Sequence, residues 1–146
     1  MSAPSSVLFS CTTNSVRSPM AEGLLKHHLG LRVYVDSVGV RPHTIDPLAI
    51  AAMAEKGLDL SGHRAKSFDD LDDTSFDMVI SLSPEAHHHA VELTRGNACE
   101  LVFWPTFDAT AVEGSLSARM AAFRSVRDSL IERIDALFPA STPVDV

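Results

Sequence analysis

SVLFSCTTNSVRSPMAEGLLKHHLG, residues 6–30, falls into three pieces with different periods. Residues 6–10 form a short apolar run bounded by a polar stretch, the signature of a buried strand. Residues 11–18 carry no apolar repeat. From Ser18-Pro19 onward Met20, Leu24 and Leu25 recur at helical spacing. Proline suits the first helical position, because its missing N–H has no intrahelical partner there. Gly30 supplies the stop.

The same strand-to-helix step repeats along the chain. Residues 32–38 (RVYVDSV) alternate and are β-branched, which predicts a second strand. A helix follows over 46–56, with Asp46 as N-cap before Pro47 and Gly57 just beyond its end. Residues 76–82 (FDMVISL) read as a third strand, followed by a helix from Pro84 to near Gly96. Residues 99–104 (CELVFW) read as the fourth. A long helix over 115–137 places Leu116, Met120, Phe123, Val126, Leu130, Ile134 and Leu137 on one face. Alternating strands and helices imply right-handed crossovers and an α/β fold of three layers, a parallel sheet covered on both faces. Ligands of such sheets bind beyond the carboxyl ends of the strands, so the loop at 11–18 is the expected site.

Composition narrows the function classes. The chain has 146 residues, 45% of them hydrophobic, enough for one domain over 1–146 with frayed ends at 1–5 and 139–146. A net charge of −7 argues against a general nucleic-acid binder. No stretch suits a membrane span, and residues 1–5 (MSAPS) lack a secretory start, so a cytoplasmic protein is expected. In that compartment Cys11 and Cys99 are free thiols. Neither a metal nor a cofactor is expected. His87, His88 and His89 point about 100° apart on a helix and read as a solvated face. Asp69, Asp70, Asp72 and Asp73 lack the glycine and terminal glutamate of a calcium loop and read as an exposed connection.

The loop itself reads Cys11-Thr12-Thr13-Asn14-Ser15-Val16-Arg17-Ser18. A loop curled between a strand and a helix can aim backbone N–H groups at one point, and the helix dipole adds positive potential, which together make an anion cradle. Arg17 can grip two oxygens of a bound oxyanion at once. The same field favours a nucleophilic thiolate at Cys11, with the Ser18 hydroxyl placed to bond the sulfur. A nucleotide-binding P-loop fits worse, since the segment holds neither glycine nor lysine.

CTTNSVRSP strongly resembles the C-x-G-N-x-C-R-S-P loop of the low-molecular-weight protein tyrosine phosphatase family, which is related to the thioredoxin-coupled arsenate reductases. SVG at 37–39, Asp46-Pro47, GLDLSGHRAKSF at 57–68 and FDMVISL carry the likeness through nearly the whole chain. The resemblance implies a four-stranded parallel sheet in the order 2-1-3-4 and one phosphatase-like domain. It implies phosphoryl transfer to Cys11, with the amides of Thr12, Thr13, Asn14, Ser15, Val16, Arg17 and Ser18 and the Arg17 side chain holding the oxyanion. Expulsion of an alkoxide or phenolate needs a proton donor. By resemblance that donor is Asp108, the one carboxylate in FWPTFDAT, with Ala109 where the family has proline. Asn14 and His63 would form the contact behind the loop that keeps its shape. Trp104 and Phe107 could wall an aryl substrate or belong to the core. The expected substrate is a phosphorylated protein or a small aryl phosphate, and the expected state a monomer or weak dimer.

Three departures from the pattern bear on function. Thr13 replaces the family's glycine, and a β-branched residue would be strained if that position needs φ > 0. Val16 replaces the second loop cysteine. The reductases' two further cysteines correspond to Ser83 and Ala90, and Cys99 reads as buried strand packing. The alternatives to a phosphatase are therefore an arsenate reductase served by a small external thiol and a catalytically impaired oxyanion-binding relative.

Overall fold

A computed structural model of the chain describes residues 4–139. Strands β1 (Ser6–Cys11), β2 (Tyr34–Gly39), β3 (Met78–Ser81) and β4 (Glu100–Phe103) form one parallel sheet in the order β2-β1-β3-β4. That is the sheet implied by the resemblance. β1 lies inside the sheet and is buried from Val7 to Cys11. Its alternation feeds two cores. Val7, Phe9 and Cys11 face a large cluster shared with helices α1 (Arg17–Leu29), α2 (Pro47–Ala54) and α4 (Leu116–Leu137). Leu8 faces the opposite layer with Val38, Val79 and Ala90 of α3 (Pro84–Leu93).

Element ends differ from the sequence reading for local reasons. α1 starts at Arg17, where the N–H of Met20 donates to the Val16 carbonyl at 3.0 Å. Pro19 is therefore third in the helix, still within the first turn, where a missing N–H costs no intrahelical bond. Residues 30–32 wind into a 3₁₀ turn, which delays β2 to Tyr34. The Thr94 hydroxyl donates to the Ala90 carbonyl at 2.9 Å as α3 ends, short of Gly96.

Ser115 caps α4 by accepting from the N–H of Ala118 at 3.1 Å. Met120, Phe123, Val126, Leu130 and Ile134 are buried as expected, but Leu116 and Leu137, the first and last residues of the helix, are 65% and 38% exposed. The expected fraying over 1–5 does not reach Ser5, whose N–H and hydroxyl both donate to Asp77 at 2.7 Å. Residues 1–3 and 140–146 lie outside the described residues. Among the described residues no helix is long and apolar enough to cross a membrane.

Phe123 is 1% exposed at the centre of the α4 face. Phe123→Ala should cost about 3–5 kcal/mol, since it removes a buried ring and leaves a cavity. A loss of that size lowers the thermal midpoint by on the order of 10 °C, measurable by calorimetry.

Candidate active site

The segment leaving β2 shapes the loop that follows β1. The carbonyls of Cys11, Thr12, Thr13 and Ser15 accept from the N–H groups of Val40, Arg41, His43 and Asp46 at 3.2, 2.8, 2.9 and 3.0 Å. Every peptide bond is trans among the described residues. In a trans peptide the carbonyl of one residue and the N–H of the next point in opposite directions. Four carbonyls turned toward residues 40–46 thus turn the amides of Thr12, Thr13, Asn14 and Val16 to the other side. The N–H of Asn14 shows where that leads, reaching the Cys11 sulfur at 3.3 Å.

Gly39 makes this approach possible. A Cβ there would lie 2.6 Å from the backbone nitrogen of Asn14 and 2.8 Å from the Thr13 carbonyl carbon. In the sequence Gly39 stands out only as the last residue of the SVG tripeptide at 37–39. The steric demand comes from a partner 25 residues away and has no local signal.

Three donors surround the sulfur. Besides Asn14, the N–H of Ser18 in the first turn of α1 donates at 3.4 Å, and the Ser18 hydroxyl lies at 2.9 Å. Asn14 Nδ2 donates to that hydroxyl at 2.8 Å, and its other acceptor, the Val38 carbonyl, is farther off at 3.4 Å. The hydroxyl proton is therefore best spent on the sulfur. Main chain, hydroxyl and helix terminus thus converge on this one sulfur.

Asn14 holds the loop in shape. It is fully buried and is the one non-glycine residue with positive φ (52°) among those described. The left-handed position of the loop is thus residue 14, a type that tolerates it, and Thr13 carries no such strain. Asn14 Nδ2 also donates to Ser37 at 2.9 Å, while its Oδ1 accepts from the Lys66 N–H at 3.0 Å and from His63 Nε2 at 3.1 Å. His63 Nε2 lies 3.2 Å from the Asn14 carbonyl as well. Two acceptors at one ring nitrogen assign the proton to Nε2. Burial holds His63 below the usual histidine range, against the pull of Glu22, whose carboxylate is 3.9 Å from Nδ1.

Arg17, itself buried, links the loop to the chain after β4. Its Nη1 donates to the Thr106 carbonyl at 3.0 Å, two residues before Asp108. Asp108 accepts from the N–H and hydroxyl of Thr110 at 3.0 and 2.6 Å, capping a 3₁₀ turn. Cys11, Asn14, Ser18 and His63 thus form one bonded cluster. Arg17 reaches the Asp108 segment through the main chain, and no hydrogen bond joins Asp108 to residues 11–18 among the described residues.

Trp104 is half-buried against Phe9, with ring centroids 6.2 Å apart, whereas Phe107 is 60% exposed. Cys99 precedes β4 and is half-buried, not fully packed inside a strand, and burial pushes its thiol up. Ser83 touches the loop, accepting from the Thr12 hydroxyl at 3.0 Å, whereas Ala90 lies on the buried face of α3. The histidines diverge, His87 stacking on Phe103 and His89 on Phe68.

A family model described as low molecular weight phosphotyrosine protein phosphatase matches residues 6–143. The chain belongs to this family. Among its relatives is an arsenate reductase of Halalkalibacterium halodurans, 37% identical over 131 residues that cover 88% of this chain and 91% of the relative. A glutaredoxin arsenate reductase of Synechocystis is 33% identical, covering 90% and 94%. A solved arsenate reductase in a phosphate-binding state superimposes with a TM-score of 0.71 at 30% identity, covering 90% of this chain and 95% of that one.

Two outcomes follow from the family member's own geometry. Gly39→Ala should destabilise the fold by about 1–3 kcal/mol, as overpacking does, with the change in urea midpoint as the measure. His63 binds a proton less readily when folded than when unfolded, where its value is near 6.5. Its contribution to stability is complete above that value and is lost as pH falls through the lower folded value. The urea midpoint should fall more steeply between about pH 7 and about pH 5 in the parent than in His63→Gln, and parallel curves would refute this.

Proposed function

We propose that the protein reduces arsenate at Cys11 with an external thiol as the electron source. The observation that carries this reading is a sulfur held by three donors inside an amide-lined loop, in a chain whose curated relatives include arsenate reductases at 37% and 33% identity. The external thiol follows from the cysteine inventory. The chain holds only Cys11 and Cys99, and Ser83 occupies the loop-contacting position where a resolving thiol would be useful.

In this mechanism the Cys11 thiolate attacks arsenic, and one arsenate oxygen departs as water after protonation. Asp108 is the proposed donor of that proton, and Arg17 with the amides of residues 12–18 neutralises the oxyanion. An external thiolate then attacks the Cys11 sulfur. The electron pair of the S–As bond leaves with arsenic, which departs as arsenite, and a mixed disulfide remains. A second external thiol attacks that disulfide and frees Cys11. The sum is arsenate plus two thiols giving arsenite, one disulfide and water.

Phosphomonoester hydrolysis is the second reading. It is favoured by the family model and by the lone sulfur in the loop, since hydrolysis of a phosphocysteine needs only water. Asp108 would then protonate the leaving oxygen and afterwards activate the water.

Assays of arsenite formation with glutathione and of p-nitrophenyl phosphate hydrolysis separate the two. Under the first reading arsenite accumulates, Cys11→Ser abolishes it, and Asp108→Asn slows it by about 10²–10³-fold. Cys99→Ser leaves the rate within about twofold, because its thiol lies outside the loop and burial keeps it protonated. Loss of activity in Cys99→Ser would replace the external thiol by an internal one. Ester hydrolysis without arsenite would establish the second reading.

A further inference from the structure

Thr13 stands where the family pattern has glycine, and its side chain has a partner inside the loop. The hydroxyls of Thr13 and Ser15 share a hydrogen bond, 2.6 Å apart. Between them lies Asn14, the residue with φ 52°. Side chains two positions apart on an extended chain are separated by about 6.6 Å, and on a helix they face different directions. So short a bond across one residue therefore belongs to the turned backbone at Asn14. It is lost when that turn opens.

The same two residues are held from behind. The Thr13 carbonyl accepts from the N–H of His43 at 2.9 Å, and the Ser15 carbonyl from that of Asp46 at 3.0 Å. Ser15 is buried and Thr13 half-buried, so water competes less for their hydroxyl bond than it would at the surface. Ser37 and Lys66 grip the side-chain amide of Asn14, whereas the hydroxyl pair spans its backbone. That backbone carries the N–H that reaches the Cys11 sulfur at 3.3 Å.

We propose that Thr13 is a positioning residue, whose hydroxyl, clasped to Ser15, keeps Asn14 in its left-handed turn and the Asn14 amide directed at Cys11. Glycine cannot make this bond and gives the chain more freedom to leave the turn. The threonine thus adds support to the loop and does not distort it. The proposal rests on the reading above only in taking the loop to hold an oxyanion.

The test is amide hydrogen exchange at Asn14, followed by NMR on the full chain, which reports how often the loop opens. Thr13→Val keeps the β-branched shape and removes the hydroxyl. It should speed exchange at Asn14 about fivefold, the worth of one intramolecular hydrogen bond. Ser15→Ala should do the same, and the double variant should go no further than either. Thr13→Ser should keep the parent rate, and Thr13→Gly should exchange at least as fast as Thr13→Val. Amides of β1 and β3 should not move in any variant, which separates a local clasp from general loosening. An unmoved Asn14 rate in Thr13→Val, additive effects in the double variant, or a Thr13→Ser rate as fast as that of Thr13→Val overturns the proposal.

Inorganic phosphate supplies a second arm. It should slow Asn14 exchange in the parent and bind no more tightly to Thr13→Gly. Tighter binding to Thr13→Gly would show that the threonine hinders the loop, and would also overturn the proposal. Phosphate that slows no loop amide in the parent refutes the oxyanion reading instead, and the exchange rates then decide the clasp on their own.

Discussion

The site exists because four loop carbonyls are occupied from outside. Residues 40–46 take the carbonyls of Cys11, Thr12, Thr13 and Ser15, and peptide planarity turns the amides between them inward. Without that neighbour, residues 11–17 would have no reason to keep four parallel carbonyl dipoles on one side. The parallel register that sets Cys11 opposite Gly39 brings the neighbour into place, so the cradle is a product of sheet pairing as much as of its own sequence.

This constraint explains which parts were legible beforehand. Alternating strand and helix patterns predict a parallel α/β sheet, whose strand order is implied only by the family likeness, and Cys11 at a strand end with Arg17 at a helix start marks the loop. Both are local patterns. The loop's support is nonlocal. Nothing in residues 11–18 announces that Asn14, and not Thr13, takes the left-handed backbone, because that depends on Ser37, His63 and Lys66 bonding its amide. Nor does the sequence around position 39 announce that a side chain there would strike Asn14. His63 is legible only through the family likeness. Leu116 and Leu137 share the apolar period of the buried face and are nonetheless exposed, because periodicity does not tell where the packing of a helix ends.

The electrostatics are similarly local. A net charge of −7 does not conflict with the proposed oxyanion site, because main-chain amides, a helix terminus and one arginine are local sources of positive potential. Backbone strain at Asn14 costs of order 1–3 kcal/mol and is offset by four side-chain hydrogen bonds of about 1 kcal/mol each. The two opposed contributions are of similar size, so the loop keeps its shape only while its partners stay in register.

For protein design, the dependence of the cradle on residues 37–46 and 63–66 defines what could be moved between scaffolds. Grafting the eight-residue loop alone onto another strand–helix junction would carry Cys11 and Arg17 but leave the carbonyls unclaimed and the asparagine unanchored. The portable module is discontinuous: a loop, the segment that turns its backbone, and the histidine-bearing turn that locks one amide.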